Sequence, residues 1–261
     1  MKRTRIHLLF AATLVGLGAC ADHVIVLSPS RCEEPGRLVP NGEVPTPEDL
    51  ATDAYCARLV RERSAPNGFV TIFGSARARE GMQSYDQTRE FARAWTEEHG
   101  DRFPILTGGG PGIMDAGNRG AHEAGGVSLG YSTYFGSGNE PLNEYTTDGY
   151  VFASFSQREA DMVDGAAAIV IAPGGVGTEW EIYETIAKIQ TGKKDRVPVI
   201  LLGPQTVWAS LFTRMNQMVR MGTISPEDPE LLQVAPTPAE AIRLIEEAII
   251  DSGVPAVDQA A

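Results

Sequence analysis

Three glycine-rich turns follow short apolar runs, and they are the segments best suited to hold a charged ligand. They are residues 74–77 (GSAR), 108–112 (GGGPG) and 173–178 (PGGVGT). Without Cβ atoms the backbone can turn sharply and aim successive N–H groups at an anion, and a helix that begins there adds its positive end. The spacing matches neither a dinucleotide-binding GxGxxG motif nor a Walker P-loop. We therefore predict a substrate and phosphate site from residues at or just after these turns: Gly74, Ser75, Gly109, Gly110, Gly112, Met114, Gly174, Gly175, Gly177 and Thr178.

Two carboxylates and an arginine accompany the third turn. Thr178 and Glu181 have the spacing of a capping box, so Glu181 fits a helix cap and a catalytic group equally well. Glu184 follows one turn later on the same helical face, and we include it in the predicted binding site. Arg158 lies at the start of a predicted helix, which precedes the strand that leads into the third glycine-rich turn. It is therefore expected near the carboxyl end of the strand before that helix.

Charge and lysine usage narrow the class of function. The formal net charge is -12 with a pI near 4.8, which argues against wide contact with nucleic acid. A few backbone N–H groups can still hold one small anion. Only four lysines occur, so an enzyme that uses a lysine Schiff base is disfavoured. We predict no metal and no cofactor.

Residues 1–19 have the layout of a signal peptide. A basic start (Lys2, Arg3, Arg5) precedes a mostly apolar run that is too short for a confident membrane-spanning helix. The run ends in LGAC, which resembles a lipobox, so we predict a lipid anchor at Cys20 and a periplasm-facing position on a bacterial cell envelope. The alternative is that this segment is a buried first strand or that the start codon is misassigned, and the protein would then be cytoplasmic.

Residues 20–45 are predicted to be a linker because prolines are frequent and periodicity is absent. Cys32 and Cys56 either pair in an oxidising compartment or remain two thiols. The segment 46–49 (TPED) is a strong helix start. Residues 46–251 are predicted to be one domain, with 252–261 as a C-terminal tail.

Within that domain, short apolar runs alternate with amphipathic stretches. The predicted strands are 69–73, 104–107, 127–131, 150–153, 167–172 and 197–202, and the predicted helices are 46–63, 85–99, 112–123, 178–191, 207–221 and 238–251. Such alternation predicts an α/β fold, a doubly wound parallel sheet with helices on both faces. Ligands of such folds bind beyond the carboxyl ends of the strands, where the glycine clusters fall.

The motifs together closely resemble the LONELY GUY (LOG) family, whose members were once labelled lysine decarboxylases. The resemblance rests on residues 74–77, 107–126 (TGGGPGIMDAGNRGAHEAGG), Arg158 and 173–181 (PGGVGTEWE), and 189–193 (IQTGK) resembles the longer-chain branch. It covers roughly residues 69–202 and, more weakly, the last two predicted helices. It implies a Rossmann-like fold and a homodimer. It also implies hydrolysis of the N-glycosidic bond of nucleoside 5′-monophosphates, AMP or cytokinin-type, to free base and ribose 5-phosphate. Glu181 would be the catalytic carboxylate, Arg158 its partner, and the 173–178 turn the 5′-phosphate site.

One departure from the family pattern concerns the residue after Arg158. The family usually has Arg-Lys at this point, whereas this chain has Arg158-Glu159. A non-catalytic nucleotide or phosphate-binding protein on the same fold is therefore the second hypothesis, and a phosphosugar or nucleotide enzyme of another reaction type is the third.

Overall fold

A computed structural model of the chain describes residues 27–40, 42–135, 138–139 and 142–250. Its centre is a sheet in which seven of the described strands run parallel in the order β5-β3-β2-β1-β6-β7-β8. The strands are β1 (Phe69–Phe73), β2 (Ile105–Thr107), β3 (Ser128–Phe135), β4 (Gly138–Asn139), β5 (Asp148–Phe152), β6 (Ala166–Ile171), β7 (Val199–Leu202) and β8 (Leu232–Ala235). The short β4 pairs antiparallel with the end of β3. The predicted α/β Rossmann-like fold is confirmed.

The helices cover both faces of the sheet. They are α1 (Pro47–Ser64), α2 (Gln83–His99), α3 (Ile113–Glu123), α4 (Phe155–Asp164), α5 (Val176–Gln190), α6 (Gln205–Arg220) and α7 (Pro238–Ile245). Successive strand residues point to opposite faces, so Phe73 joins the core under α1, α4, α5 and α6, while Ile72 joins the core under α2, α3 and α7. Two apolar layers therefore hold the central strands. None of the described helices is both long and apolar enough to span a lipid bilayer.

Most predicted elements are found within a few residues of their predicted bounds, and the differences lie at edges and ends. β8 was not predicted, because its four residues lie between proline-containing segments and only Leu232 and Ala235 are buried. The predicted last helix is shorter, since α7 ends at Ile245 and a π-helical turn covers Glu246–Ile250. The predicted start at Thr46 is confirmed, because the Thr46 hydroxyl accepts from the Asp49 N–H and Asp49 accepts in return from the Thr46 N–H.

Part of the segment before α1 is packed onto the domain. Cys32 and Cys56 form a disulfide with a Cα–Cα distance of 5.3 Å, which settles the alternative that the sequence leaves open. The Gly36 N–H donates to the Val151 carbonyl of β5 at 2.6 Å, and a Cβ at Gly36 would lie only 2.5 Å from the Ala153 nitrogen. Glycine is therefore required where this segment meets β5.

Removing the disulfide should destabilise the protein by about 3 kcal/mol, the chain-entropy value for a loop of this length. The bonded cysteines are 24 residues apart, so the bond restricts the unfolded chain substantially. The measurement is the urea midpoint of wild type with and without dithiothreitol. Cys32→Ala, which removes the bond and leaves buried Cys56 in place, should match the reduced wild type and lose its response to reductant. Equal midpoints for all samples would contradict this expectation.

Candidate active site

The three glycine-rich turns meet because they follow adjacent strands. β2, β1 and β6 are neighbours in the sheet, and their carboxyl ends lie at one edge. The Ser75 N–H donates to the Pro173 carbonyl at 3.4 Å, and the Ile113 N–H donates to the Ser75 carbonyl at 3.0 Å. The turn after β1 is thus bonded to both of its neighbours.

The turn after β6 forms one wall of a cavity of about 820 Å³, which we call the outer cavity. Its lining comprises residues 74–78, Met82, Ser84, residues 173–178 and Glu181. Helix α5 begins at Val176, and its first backbone bond runs from the Glu179 N–H to the Gly175 carbonyl at 3.0 Å. The preceding N–H groups have no partner within the helix, so the positive end of α5 meets this cavity. Together with exposed Arg77, this environment favours a phosphate.

The glycines of this turn have different roles. A Cβ at Gly174 would lie 2.0 Å from Thr178 Oγ1, so packing alone requires glycine there. An added Cβ at Gly175 or Gly177 meets nothing within 4 Å. Glycine at these two positions is therefore unnecessary for the fold, and it leaves the backbone open to close approach by a ligand.

Gly177→Ala should separate ligand binding from stability. The fold has room for the methyl group, and alanine is the better helix former, so the melting temperature should stay equal or rise. The methyl would crowd an anion at the start of α5, and the Kd for inorganic phosphate or AMP should rise about tenfold, a loss of about 1.4 kcal/mol. Isothermal titration calorimetry provides the measurement. Unchanged affinity would place the anion elsewhere.

The structure rules out the capping role that the sequence leaves open for Glu181. Because α5 begins at Val176 rather than Thr178, Gly175 is the N-cap residue, and no side chain caps this helix. Thr178 is therefore inside the first turn, and the predicted helix start there was wrong by two residues. Glu181 makes no capping box and is available for another role.

Glu181 also lines a second, deeper cavity of about 540 Å³, which we call the inner cavity. Its other lining residues are Ile72, Phe73, Gly74, Ala76, Gly108, Met114, Phe135, Arg158 and Met162. Most of these side chains are apolar, so the inner cavity suits a flat uncharged group with Arg158 and Glu181 at its polar end. Glu181, Gly74 and Ala76 line both cavities and mark where they join.

Arg158 is held rigidly in this wall. It lies in the first turn of α4, where the Ser154 hydroxyl accepts from the Gln157 N–H at 3.2 Å. Buried Asp53 fixes the turn before α4 by accepting from the backbone N–H groups of Ala153 and Ser154, at 3.0 and 2.8 Å. The Arg158 guanidinium lies over the Phe155 ring, 4.9 Å from its centroid. These contacts place a nearly buried cation beside the inner cavity.

Glu159, the residue that departs from the family pattern, is part of the same cluster. It is 1% exposed and forms an ion pair with Arg158. Burial raises the pKa of the Glu159 carboxyl, and the Arg158 charge opposes this effect. Burial also raises the pKa of Glu181 well above its ordinary value, and the adjoining Glu159 charge raises it further. Arg158 and Glu181 thus form the polar end of the inner cavity, and Glu159, which is paired with Arg158, lies outside its described lining.

The remaining predicted residues fall into two groups. Gly74, Ser75 and Met114 line a cavity, as do Gly174, Gly175, Gly177 and Thr178. Gly109, Gly110, Gly112 and Glu184 lie outside the described lining of both cavities. The predicted anchor Cys20 lies outside the described residues.

The residues of the second group pack or pair elsewhere. A Cβ at Gly109 would lie 2.4 Å from Leu142 Cδ2, and one at Gly112 would lie 2.3 Å from the Ser75 carbonyl oxygen, so both glycines allow close packing. The Gly110 carbonyl accepts from Asn143 Nδ2 at 3.1 Å. Glu184 forms an ion pair with Lys188 at 3.2 Å.

Sequence reasoning missed six residues that line the inner cavity: Ile72, Phe73, Ala76, Gly108, Phe135 and Met162. Gly108 belongs to a predicted turn but is not among the predicted site residues. A Cβ there would lie 2.6 Å from Met114 Sδ and 3.2 Å from Arg158 Nη1. Phe135 lines the cavity from the end of β3, and Met162 lines it from the last turns of α4. Their apolar side chains carry no motif, so only the topology could have placed them here.

Comparison with known proteins finds a matching family and similar plant enzymes. Residues 114–245 match the protein family described as "Possible lysine decarboxylase". Cytokinin riboside 5′-monophosphate phosphoribohydrolase LOG3 of Arabidopsis thaliana is 31% identical over 143 residues, which is 55% of this chain and 66% of that protein. The corresponding enzyme LOG7 of the same plant is 33% identical over 147 residues, 56% of this chain and 67% of that protein.

Solved structures support the fold. The molybdenum cofactor binding protein of Rippkaea orientalis superposes with a TM-score of 0.53 at 20% identity, over 69% of this chain and 96% of that one. The molybdenum cofactor carrier protein of Chlamydomonas reinhardtii gives 0.52 at 23% identity, over the same shares. From the family match and the two plant relatives, the chain belongs to the LONELY GUY family, whose older description is possible lysine decarboxylase.

Proposed function

We propose that this protein hydrolyses the N-glycosidic bond of nucleoside 5′-monophosphates and releases a free base and ribose 5-phosphate. The observation that carries the proposal is the position of Glu181, which lines both the anion-binding outer cavity and the apolar inner cavity. A nucleotide with its phosphate at the start of α5 and its base in the inner cavity has its ribose between them, next to Glu181. The plant relatives, named as phosphoribohydrolases, support this reaction.

The side chains fit the charges that develop in this reaction. Cleavage of the ribosyl C–N bond gives the sugar oxocarbenium character and places negative charge on the departing base. Glu181 is next to the sugar, and a carboxyl group there can transfer a proton or stabilise charge. Arg158 orients the ribose, the phosphate at the start of α5 anchors the substrate, and the apolar wall formed by Met114, Phe135 and Met162 excludes water from the base.

The test is incubation of purified protein with AMP and a panel of other nucleoside 5′-monophosphates, including cytokinin ribotides. Free base and ribose 5-phosphate should appear in equal amounts, and adenosine, which lacks the phosphate, should be a much poorer substrate. Folded protein that binds AMP but releases no base from any of these nucleotides would refute the proposal. That result would support the second candidate, a non-catalytic nucleotide-binding protein, which the acidic Glu159 beside Glu181 motivates.

We also propose that the protein is exported and anchored through Cys20. The Cys32–Cys56 disulfide supports export, because such bonds persist in oxidising compartments. Cell fractionation of wild type and Cys20→Ser checks this: wild type should be in the membrane fraction and the variant in the soluble fraction. A homodimer, implied by the family resemblance, stays a prediction that sedimentation analysis can test.

A further inference from the structure

Helices α4 and α5 each place a carboxyl group in the cluster around Arg158. Glu159 lies on α4 and is 1% exposed, and Glu181 lies on α5 at the junction of the two cavities. Each carboxyl group shifts the pKa of the other, so the two side chains are close enough for their charges to interact. Each also keeps one buried oxygen, Oε2, that accepts no hydrogen bond from any other described residue. Two ionised carboxylates this close repel each other, which favours a proton on one of them.

The surrounding charges do not neutralise both groups. Arg158 forms an ion pair with Glu159. Lys188, on α5, is already bound to Glu184 at 3.2 Å and to Asp164 at 2.8 Å. Glu184 adds negative charge near the pair, and Arg77 lies at the exposed rim of the outer cavity. One buried cation therefore serves the buried Glu159 and the half-buried Glu181, whose Oε2 atom is buried, and an unpaired buried charge is costly.

We propose that Glu159 and Glu181 share one proton, carried by Glu181, and that Glu159 thereby makes Glu181 the proton donor to the leaving base. The donor role rests on the proposed function; the shared proton does not. The pKa directions agree: burial and the Glu159 charge raise the pKa of Glu181, while Arg158 favours the ionised form of Glu159. Two neighbouring carboxyls commonly hold a single proton, as the paired aspartates of aspartic proteases do.

The proton balance of the reaction is complete without a further reactant. The Glu181 carboxylic acid gives its proton to a ring nitrogen of the base as the C1′–N bond breaks, and the bonding electrons leave with the base. Water then adds its oxygen to C1′ and releases a proton, which returns to the Glu159–Glu181 pair. The net reaction is nucleotide plus water to free base plus ribose 5-phosphate. Glu159 touches no substrate in this scheme and is a positioning residue that acts through Glu181.

The first test measures the proton without turnover. Glutamate labelled with ¹³C at the side-chain carboxyl reports each titration by NMR, and aspartates such as the buried Asp53 give no signal. The Glu181 resonance, identified by its loss in Glu181→Gln, should titrate at higher pH than the exposed glutamates. In Glu159→Gln it should titrate at lower pH, because the neighbouring negative charge is gone. Glu179→Gln, an exposed change on the same helix, should leave it unmoved.

The second test is the pH profile of turnover. Loss of the Glu181 proton should produce the alkaline limb of kcat, and Glu159→Gln should shift that limb to lower pH with little change in KM for AMP. A merely structural role for Glu159 would lower activity at all pH values and leave the limb in place.

The outcomes separate the two proposals. A Glu181 resonance that titrates with the exposed glutamates, or that does not move in Glu159→Gln, overturns the shared proton even where base release is observed. A shifted, coupled titration without base release supports the shared proton and contradicts the donor role together with the proposed function. If Glu159→Gln fails to fold, the titration of the wild-type protein still tests the shared proton. Two carboxyls that share a proton titrate as a pair, so the carboxyl ¹³C resonances of Glu159 and Glu181 should both change in the same two pH steps.

Discussion

Glu181→Gln should lose between a hundredfold and ten thousandfold in kcat, about the contribution of a positioned acid or base. The amide has nearly the same shape as the carboxyl, but it can neither supply a proton nor stabilise positive charge on the ribose. AMP should still bind with an affinity close to that of the wild type, because the anion-binding turn at residues 173–178 is unchanged. Single-turnover kinetics together with calorimetry measure the two effects separately.

The matched control for this change is Glu179→Gln. It makes the same substitution on the same helix, but Glu179 is exposed and lies outside the lining of both cavities. Its kcat should stay within a few-fold of wild type. If Glu181→Gln and Glu179→Gln have equal activity, Glu181 has no catalytic role.

Arg158→Gln should lower the free energy of unfolding by about 3 kcal/mol at slightly alkaline pH, the usual cost of removing one partner of a buried ion pair. The reason is that Glu159, itself 1% exposed, would be left without its cation beside a second carboxyl. The variant should also lose turnover, because the guanidinium at the polar end of the inner cavity is gone.

The loss of stability should depend on pH in a definite direction. Without Arg158, the pKa of Glu159 in the folded protein rises further above its value in the unfolded chain. Such a group stabilises the fold while it stays protonated, and this contribution disappears as the pH rises through the folded pKa. Urea denaturation should therefore show a small deficit near about pH 5 and the full deficit near about pH 8.

The double variant Arg158→Gln/Glu159→Gln checks this explanation. With both charges removed, stability at the higher pH should recover most of the loss, while activity stays low. A deficit that is the same at both pH values, or that persists in the double variant, would show that Arg158 stabilises the fold through its packing on Phe155 instead.

The sequence predicts the fold where local chemistry and hydrophobic pattern agree. Thr46 and Asp49 cap α1 as expected, since a capping box involves only neighbouring residues. The three glycine-rich turns converge as expected, because parallel strands end at one edge of a sheet. β8 and the start of α5 were missed, the first because two of its four residues face away from the core, and the second because Gly175 caps the helix without a side chain.

The candidate site was predictable only in part, for a physical reason. The roles of Gly174 and Gly177 differ because of what lies next to them in space, and spacing along the chain contains no such information. The sequence shows that Glu159 is unusual, but the consequence depends on its electrostatic interaction with Glu181, which lies on another helix. Burial and pairing of charges are tertiary properties, so the electrostatics of the inner cavity become clear only in the folded chain.

The contact between Gly36 and β5 has a consequence for self-association. β5 is the last strand of its side of the sheet, and an outer strand with free backbone groups is a template for pairing with another chain. The Gly36 N–H donates to the Val151 carbonyl of β5, and the Cys32–Cys56 disulfide ties the segment that contains Gly36 to α1. Oxidation thus protects the sheet as well as stabilising it. In reducing solution at high concentration, the loosened segment would expose β5, and strand-to-strand aggregation would begin at that edge.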